Sequence, residues 1–186
     1  MDKKKQKALL LAAVIVVIAL FSNSTLAYYT VTGVATNVVT SGEIRLQIQE
    51  LTEDGKPFPQ EGVIVIPGDT VGKEVSVRNI CSHPFWLRVE LVKGSTQEEL
   101  AAEEALQIVD INDRDWTRQG DYYYYNEILY PNEITEPLFT QVHISGPHVD
   151  QHDIGATLTL TVKAYAVQSE NNPAQHPWEV SGWPEA

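Results

Sequence analysis

From residue 28 onward, apolar and polar side chains alternate with a period of two. Clusters of Gly, Pro, Asn and Asp interrupt the alternation at intervals of about ten residues. Ile44, Leu46 and Ile48 alternate with Arg45, Gln47 and Gln49, and Val75 and Val77 with Ser76 and Arg78. Phe85, Leu87, Val89 and Leu91 share one parity, opposite Trp86, Arg88 and Glu90. Leu158, Leu160, Val162, Ala164 and Ala166 alternate with Thr157, Thr159, Thr161, Lys163 and Tyr165. Successive strand residues point to opposite faces, so each stretch predicts a strand with one apolar face and one polar or amphipathic face. Such faces are buried by stacking two sheets about 10 Å apart. The pattern therefore predicts an all-β fold, a jelly-roll-like antiparallel β-sandwich of about eight strands.

The turn residues agree with that count. Gly55 in Glu53-Asp54-Gly55 supplies a positive φ, and Pro67-Gly68 fits the central positions of a type II turn. Val65-Ile66-Pro67-Gly68-Asp69-Thr70-Val71 and Leu129-Tyr130-Pro131-Asn132-Glu133-Ile134-Thr135 share one outline: an apolar pair, Pro, Gly or Asn, an acid, then a new strand. They predict two similar corners. The one helical pattern runs from Thr96 to Ile108, with Thr96 and Glu99 as a capping box and Leu100, Ala101, Ala105 and Ile108 on one face. Its position between strands predicts a short helix crossing one end of the sandwich. Residues 169–186 are aperiodic and rich in Pro and Asn, which marks a tail. Its Trp178 and Trp183 are costly to expose, so docking on the parent domain is favoured over capture of a partner.

Residues 1–27 follow a different logic. A basic start (Lys3, Lys4, Lys5, Lys7) leads into an unbroken apolar run from Ala8 to Phe21 and a polar stretch closing on Thr25-Leu26-Ala27. This is the layout of a secretory signal peptide. As a helix the apolar run reaches about 21 Å, short of the roughly 30 Å hydrocarbon core of a bilayer. Cleavage between Ala27 and Tyr28 is expected, with an uncleaved N-terminal anchor as the alternative and the membrane then touched only through that segment. Either way residues 28–168 form the exported domain and the localisation is extracellular or at the cell surface. The chain carries a formal charge of −12 and residues 1–27 carry +3, so the remainder carries −15. With no surplus of Lys and Arg to displace counterions, nucleic acid is not an expected partner. A lone Cys81 rules out an internal disulfide.

Five histidines and 24 exported acids invite a catalytic or metal reading. His148 and His152 lie four apart but are bracketed by Gly146, Pro147 and Gly155, and no Glu follows the first as in the zinc-binding helical motif. Asp110-Ile111-Asn112-Asp113-Arg114-Asp115 opens like a calcium loop, yet Arg114 and Asp115 stand where a third ligand and a turn glycine belong, and Asp121 stands where a closing Glu belongs. No G-x-S-x-G is present, and Cys81 with His83 lacks an evident orienting acid. The expectation is a non-enzyme with no metal and no cofactor. Tyr122-Tyr123-Tyr124-Tyr125 is more informative: alternation sends Tyr123 and Tyr125 to one face and Tyr122 and Tyr124 to the other. One pair is then either half-buried strand tyrosine or a contact surface for an assembly or a carbohydrate.

Leu26-Ala27-Tyr28-Tyr29-Thr30, then Asn37 and Thr40-Ser41-Gly42-Glu43-Ile44, resemble the export signal and mature start of the TasA/camelysin group of Gram-positive proteins, whose signals are matched to a SipW-type signal peptidase. Val65-Ile66-Pro67-Gly68-Asp69, Arg78-Asn79, Trp86-Leu87-Arg88-Val89, and Tyr124-Tyr125 through Leu129-Tyr130-Pro131 to Pro137-Leu138-Phe139 extend the resemblance from Lys3 to about Gln168. The resemblance implies a jelly-roll sandwich at the cell surface, where better-known relatives build biofilm matrix fibres by donating an N-terminal strand to the next subunit. The implied partners are further copies of the chain, other matrix proteins and, during export, the signal peptidase. Asn132 departs from the Gly expected at the second corner, and the tail lies outside the shared pattern. Camelysin-like relatives are classed as metallopeptidases, but no zinc-ligand signature accompanies the resemblance here. That activity, and a soluble ligand-binding sandwich, are the alternatives to a structural subunit. The donor segment would begin Tyr28, Tyr29, Val31, Val34 within a charge-free, Pro-free stretch to Val39, which pairs readily with any open sheet edge. It either completes its own sandwich or that of a neighbour.

Overall fold

The computed structural model describes residues 29–38, 44–148 and 155–184. The signal segment and its junction at Ala27 and Tyr28 lie outside the described residues. Eleven strands are found among them: β1 (Tyr29–Val38), β2 (Leu46–Leu51), β3 (Val63–Val65), β4 (Thr70–Gly72), β5 (Glu74–Asn79), β6 (Phe85–Ser95), β7 (Leu106–Val109), β8 (Trp116–Gln119), β9 (Tyr122–Tyr125), β10 (Gln141–Ile144) and β11 (Thr157–Gln168). One helical turn, α1 (Ala102–Ala105), precedes β7.

The first layer is a six-stranded sheet in the order β3-β1-β11-β6-β9-β8. Its spine is the antiparallel pair β6 and β11, in register from Phe85↔Gln168 to Ser95↔Leu158. The second layer is built from two smaller sheets, β2-β5 and β4-β10-β7. They are continuous through the backbone: Lys73 N–H donates to Thr140 O, Val75 N–H to Phe139 O and Thr135 N–H to Val77 O, so residues 133–144 run beside the whole of β4 and β5. Residues of both layers meet in one core. Leu87, Val89, Leu160 and Val162 come from the first layer, and Val75, Val77, Val142 and Ile144 from the second, all fully buried. The architecture is an all-β sandwich, and among the described residues every strand pairing is antiparallel except that of β1 with β11.

The two corners are the same turn. At the first, Asp69 N–H donates to Ile66 O while the Asp69 carboxylate accepts from Ile66 N–H. At the second, Glu133 N–H donates to Tyr130 O while the Glu133 carboxylate accepts from Tyr130 N–H. The residue before each acid has positive φ, 95° at Gly68 and 69° at Asn132. Asn is one of the few residues with a side chain that tolerates that region.

The helix expected over Thr96–Ile108 is corrected to the single turn α1. Its would-be cap, Thr96, extends the sheet instead: Thr96 N–H donates to Thr157 O, and its hydroxyl accepts from Thr157 N–H. At the other end Leu106, Gln107, Ile108 and Val109 pair with β10 and bury Leu106 completely. Burial of an apolar strand against the core outweighs a helical propensity that differs by only tenths of a kcal/mol per residue.

Candidate assembly site

β1 takes its place by a long parallel register against β11, from Thr30↔Thr157 to Val38↔Tyr165. Its other edge pairs antiparallel with β3, Tyr29↔Val65 through Val31↔Val63. Val31 is fully buried in the common core. Of the expected donor residues, Tyr29, Val31 and Val34 are therefore in β1, within the molecule's own first layer, while Tyr28 falls outside the described residues. Both partners of β1 are distant in sequence, and the next strand, β2, belongs to the opposite layer.

The tyrosine run forms β9, hydrogen-bonded to β6 from Arg88↔Tyr124 to Glu90↔Tyr122. Tyr123 and Tyr125 point inward, Tyr123 into the core and Tyr125 against Trp116 at 5.1 Å between ring centroids. Tyr122 and Tyr124 point outward, onto a face that the alternation predicts to be solvated. It is not solvated here, because the tail lies across it. Trp183 meets Tyr124 edge-on at 5.6 Å, Trp86 Nε1 donates to Asn172 O at 3.2 Å, and Val180 is buried. Trp178 instead stacks on His176 at 4.5 Å.

At the centre of that outer face is Arg88, 8% exposed. Its guanidinium lies 3.8 Å over the Tyr122 ring and 4.9 Å from that of Trp183, and Nη2 donates to Pro184 O at 2.7 Å. Beside it the Tyr165 hydroxyl donates to Glu90 Oε2 at 2.8 Å, and Lys163 Nζ approaches the same oxygen at 3.2 Å. Burial and the Glu90 carboxylate push the Tyr165 phenol well above its ordinary pKa. Alternation alone assigns Arg88, Glu90 and Tyr165 to solvent; the signal that could have placed them was the pair of tryptophans in the tail.

Beyond Glu90, β6 runs on to Ser95 with no β9 residue opposite it, because β9 begins at Tyr122. The gap opens a cleft of about 700 Å³ whose lining includes Leu91, Lys93, Gln107, Ile108, Arg118 and Asp121. Lys93 is bound to Glu103 at 3.0 Å, so the cleft carries both signs of charge.

Elsewhere, acids and histidines bond to nearby side chains and backbone. Asn112 bonds the Asp115 side chain and accepts from Asp115 N–H, closing the acidic loop upon itself. Ser145 Oγ lies 2.8 Å from His148 Nδ1, and His148 Nε2 lies 3.6 Å from Glu104. The order resembles a catalytic triad; Ser145 is 4% exposed and its N–H donates to Ala105 O. Cys81 is buried, its thiol within 3.1 Å of Asn79 Oδ1. Among the described residues no group of three or more His, Cys, Asp or Glu side chains is placed to hold a metal ion. His152 lies outside them. No family model, no curated protein and no solved structure matches the chain.

Proposed function

We propose that the protein is an exported, non-enzymatic structural subunit of the cell surface or extracellular matrix, and that copies join by exchanging β1. The observation that carries this reading is the place of β1 in the first layer. It makes the one parallel pairing among the described strands, lying between β11 and β3, and the next described strand, β2, belongs to the opposite layer. Every backbone bond it makes there, and the apolar site that Val31 fills, is equally available to the β1 of another copy. A strand given by each copy to the next is a head-to-tail contact, which propagates as a filament unless the geometry closes into a ring. The uncharged composition of the segment supports the same reading, since no charge must be desolvated on insertion.

The test is purified protein spanning residues 28–186, followed by light scattering across concentration and pH. The full mature chain should grow into polymers. Removing residues 28–36 should leave a folded domain that no longer grows, and excess peptide of residues 28–39 should cap the growth of the intact chain. A mature chain that stays monomeric throughout, with a truncated form that unfolds, would show that β1 serves only its own domain. Chelator-sensitive proteolysis surviving stringent purification would overturn the non-enzymatic half of the reading.

A further inference from the structure

Lys73 stands at the junction of β4 and β5 and is 0% exposed. Its ammonium nitrogen lies 2.9 Å from Oε1 of Glu50, whose side chain is 13% exposed. Glu50 sits near the end of β2, the strand hydrogen-bonded to β5. The Phe58 ring covers the ammonium, its centroid 4.0 Å from Nζ, and Phe58 N–H ties the overlying loop to Glu50 O. Gly72 lets that loop close down: a Cβ there would fall 2.8 Å from Glu53 Cβ. Lys73 Nζ and Glu50 Oε1 are in contact, and neither has a further hydrogen-bond partner among the described residues.

A buried ion pair of this kind is poorly compensated. Each charge loses its hydration, and the mutual attraction repays that loss only when the remaining donors and acceptors are also satisfied. Here they are not. Burial accordingly lowers the proton affinity of the Lys73 amine, with Glu50 pulling the other way.

We propose that Lys73 and Glu50 condense into an amide, an intramolecular cross-link between β2 and the β4–β5 junction. A proton first passes from Nζ to the Glu50 carboxylate, giving a neutral amine and a neutral acid. The Nζ lone pair attacks Cδ and forms the N–C bond. A second proton then moves from nitrogen to the hydroxyl oxygen, the C–O bond breaks, and one water leaves past the partly exposed edge of Glu50. Nothing is oxidised or reduced and no co-reactant is consumed. Water opposes the condensation in solution, but here water is largely excluded, the reacting groups are held together by two hydrogen-bonded strands, and the product removes both buried charges. In a domain whose single cysteine is unpaired, this bond would close the loop over residues 51–72 as a disulfide otherwise might.

The experiment is the intact mass of the full mature chain, denatured, with its N-terminus fixed by sequencing. The expected mass is the sequence mass less one water. Trypsin should pass over Lys73, and the peptide Leu46–Arg78 should be one water light, with no backbone fragments released between Glu50 and Lys73. Lys73→Met should restore the full sequence mass. Wild-type protein of full sequence mass, cleaved normally after Lys73, would overturn the proposal and leave a plain ion pair. The wild-type measurement decides the matter even if the variant fails to fold, and it is independent of whether the chain polymerises.

Discussion

The Tyr165 hydroxyl has one partner, a carboxylate already shared with Lys163, and the ring around it packs on Tyr122 at 5.9 Å. Replacing Tyr165 by Phe keeps that packing and removes only the charge-assisted bond, so Tyr165→Phe should cost about 1–2 kcal/mol near neutral pH. The variant should also change the alkaline limb of the stability curve. Folding raises the phenol pKa above its ordinary 10. Above pH 10 the unfolded chain therefore releases this proton while the folded chain retains it, and stability falls as pH rises through that window. Urea unfolding at pH 8 and pH 11 should show a smaller alkaline loss for Tyr165→Phe than for the wild type. The same neighbourhood shows the limit of reading single residues: Arg88 follows the parity of a solvated residue and is buried only because a distant tail covers it.

At the scale of elements, the turns were legible and the helix was not. The corners at residues 65–71 and 129–135 close through local bonds, each acid binding back to an N–H three residues earlier, so short-range chemistry suffices to specify them. Asn132 carries the one departure from Pro-Gly. At its φ of 69°, Asn132→Gly should be neutral or stabilising by about 0.5 kcal/mol, whereas Asn132→Val should cost about 1–2 kcal/mol, read from urea midpoints at unchanged m-value. Thr96–Ile108 failed as a helix because the decisive contacts, Thr157 at one end and β10 at the other, lie far away in sequence.

For the whole molecule, charge opposes the proposed assembly. Residues after 27 carry −15, and copies brought together by the proposed strand exchange would repel one another. Raising ionic strength from about 0.01 M to 0.15 M shortens the screening length from roughly 30 Å to 8 Å. Growth of the mature chain, followed by light scattering, should accelerate several-fold over that range. The β1 pairing itself should change little with salt, because the segment has no charge to screen. A growth rate indifferent to salt would mean that repulsion between the acidic copies does not limit joining.

Period-two alternation and turn chemistry are local properties, and they were enough to specify an all-β sandwich, several of its strands and both corners. Alternation also divided Tyr122 and Tyr124 from Tyr123 and Tyr125, since the pleat allows no other arrangement. What covers each face is a different matter, set by contacts between segments remote in the chain. Only the tertiary structure decided that β1 lies parallel to β11, that residues 169–184 roof Arg88, Tyr122 and Tyr124, and that Lys73 meets Glu50 beneath Phe58. In each case the contacts join segments far apart in the chain, which no spacing along the sequence brings together.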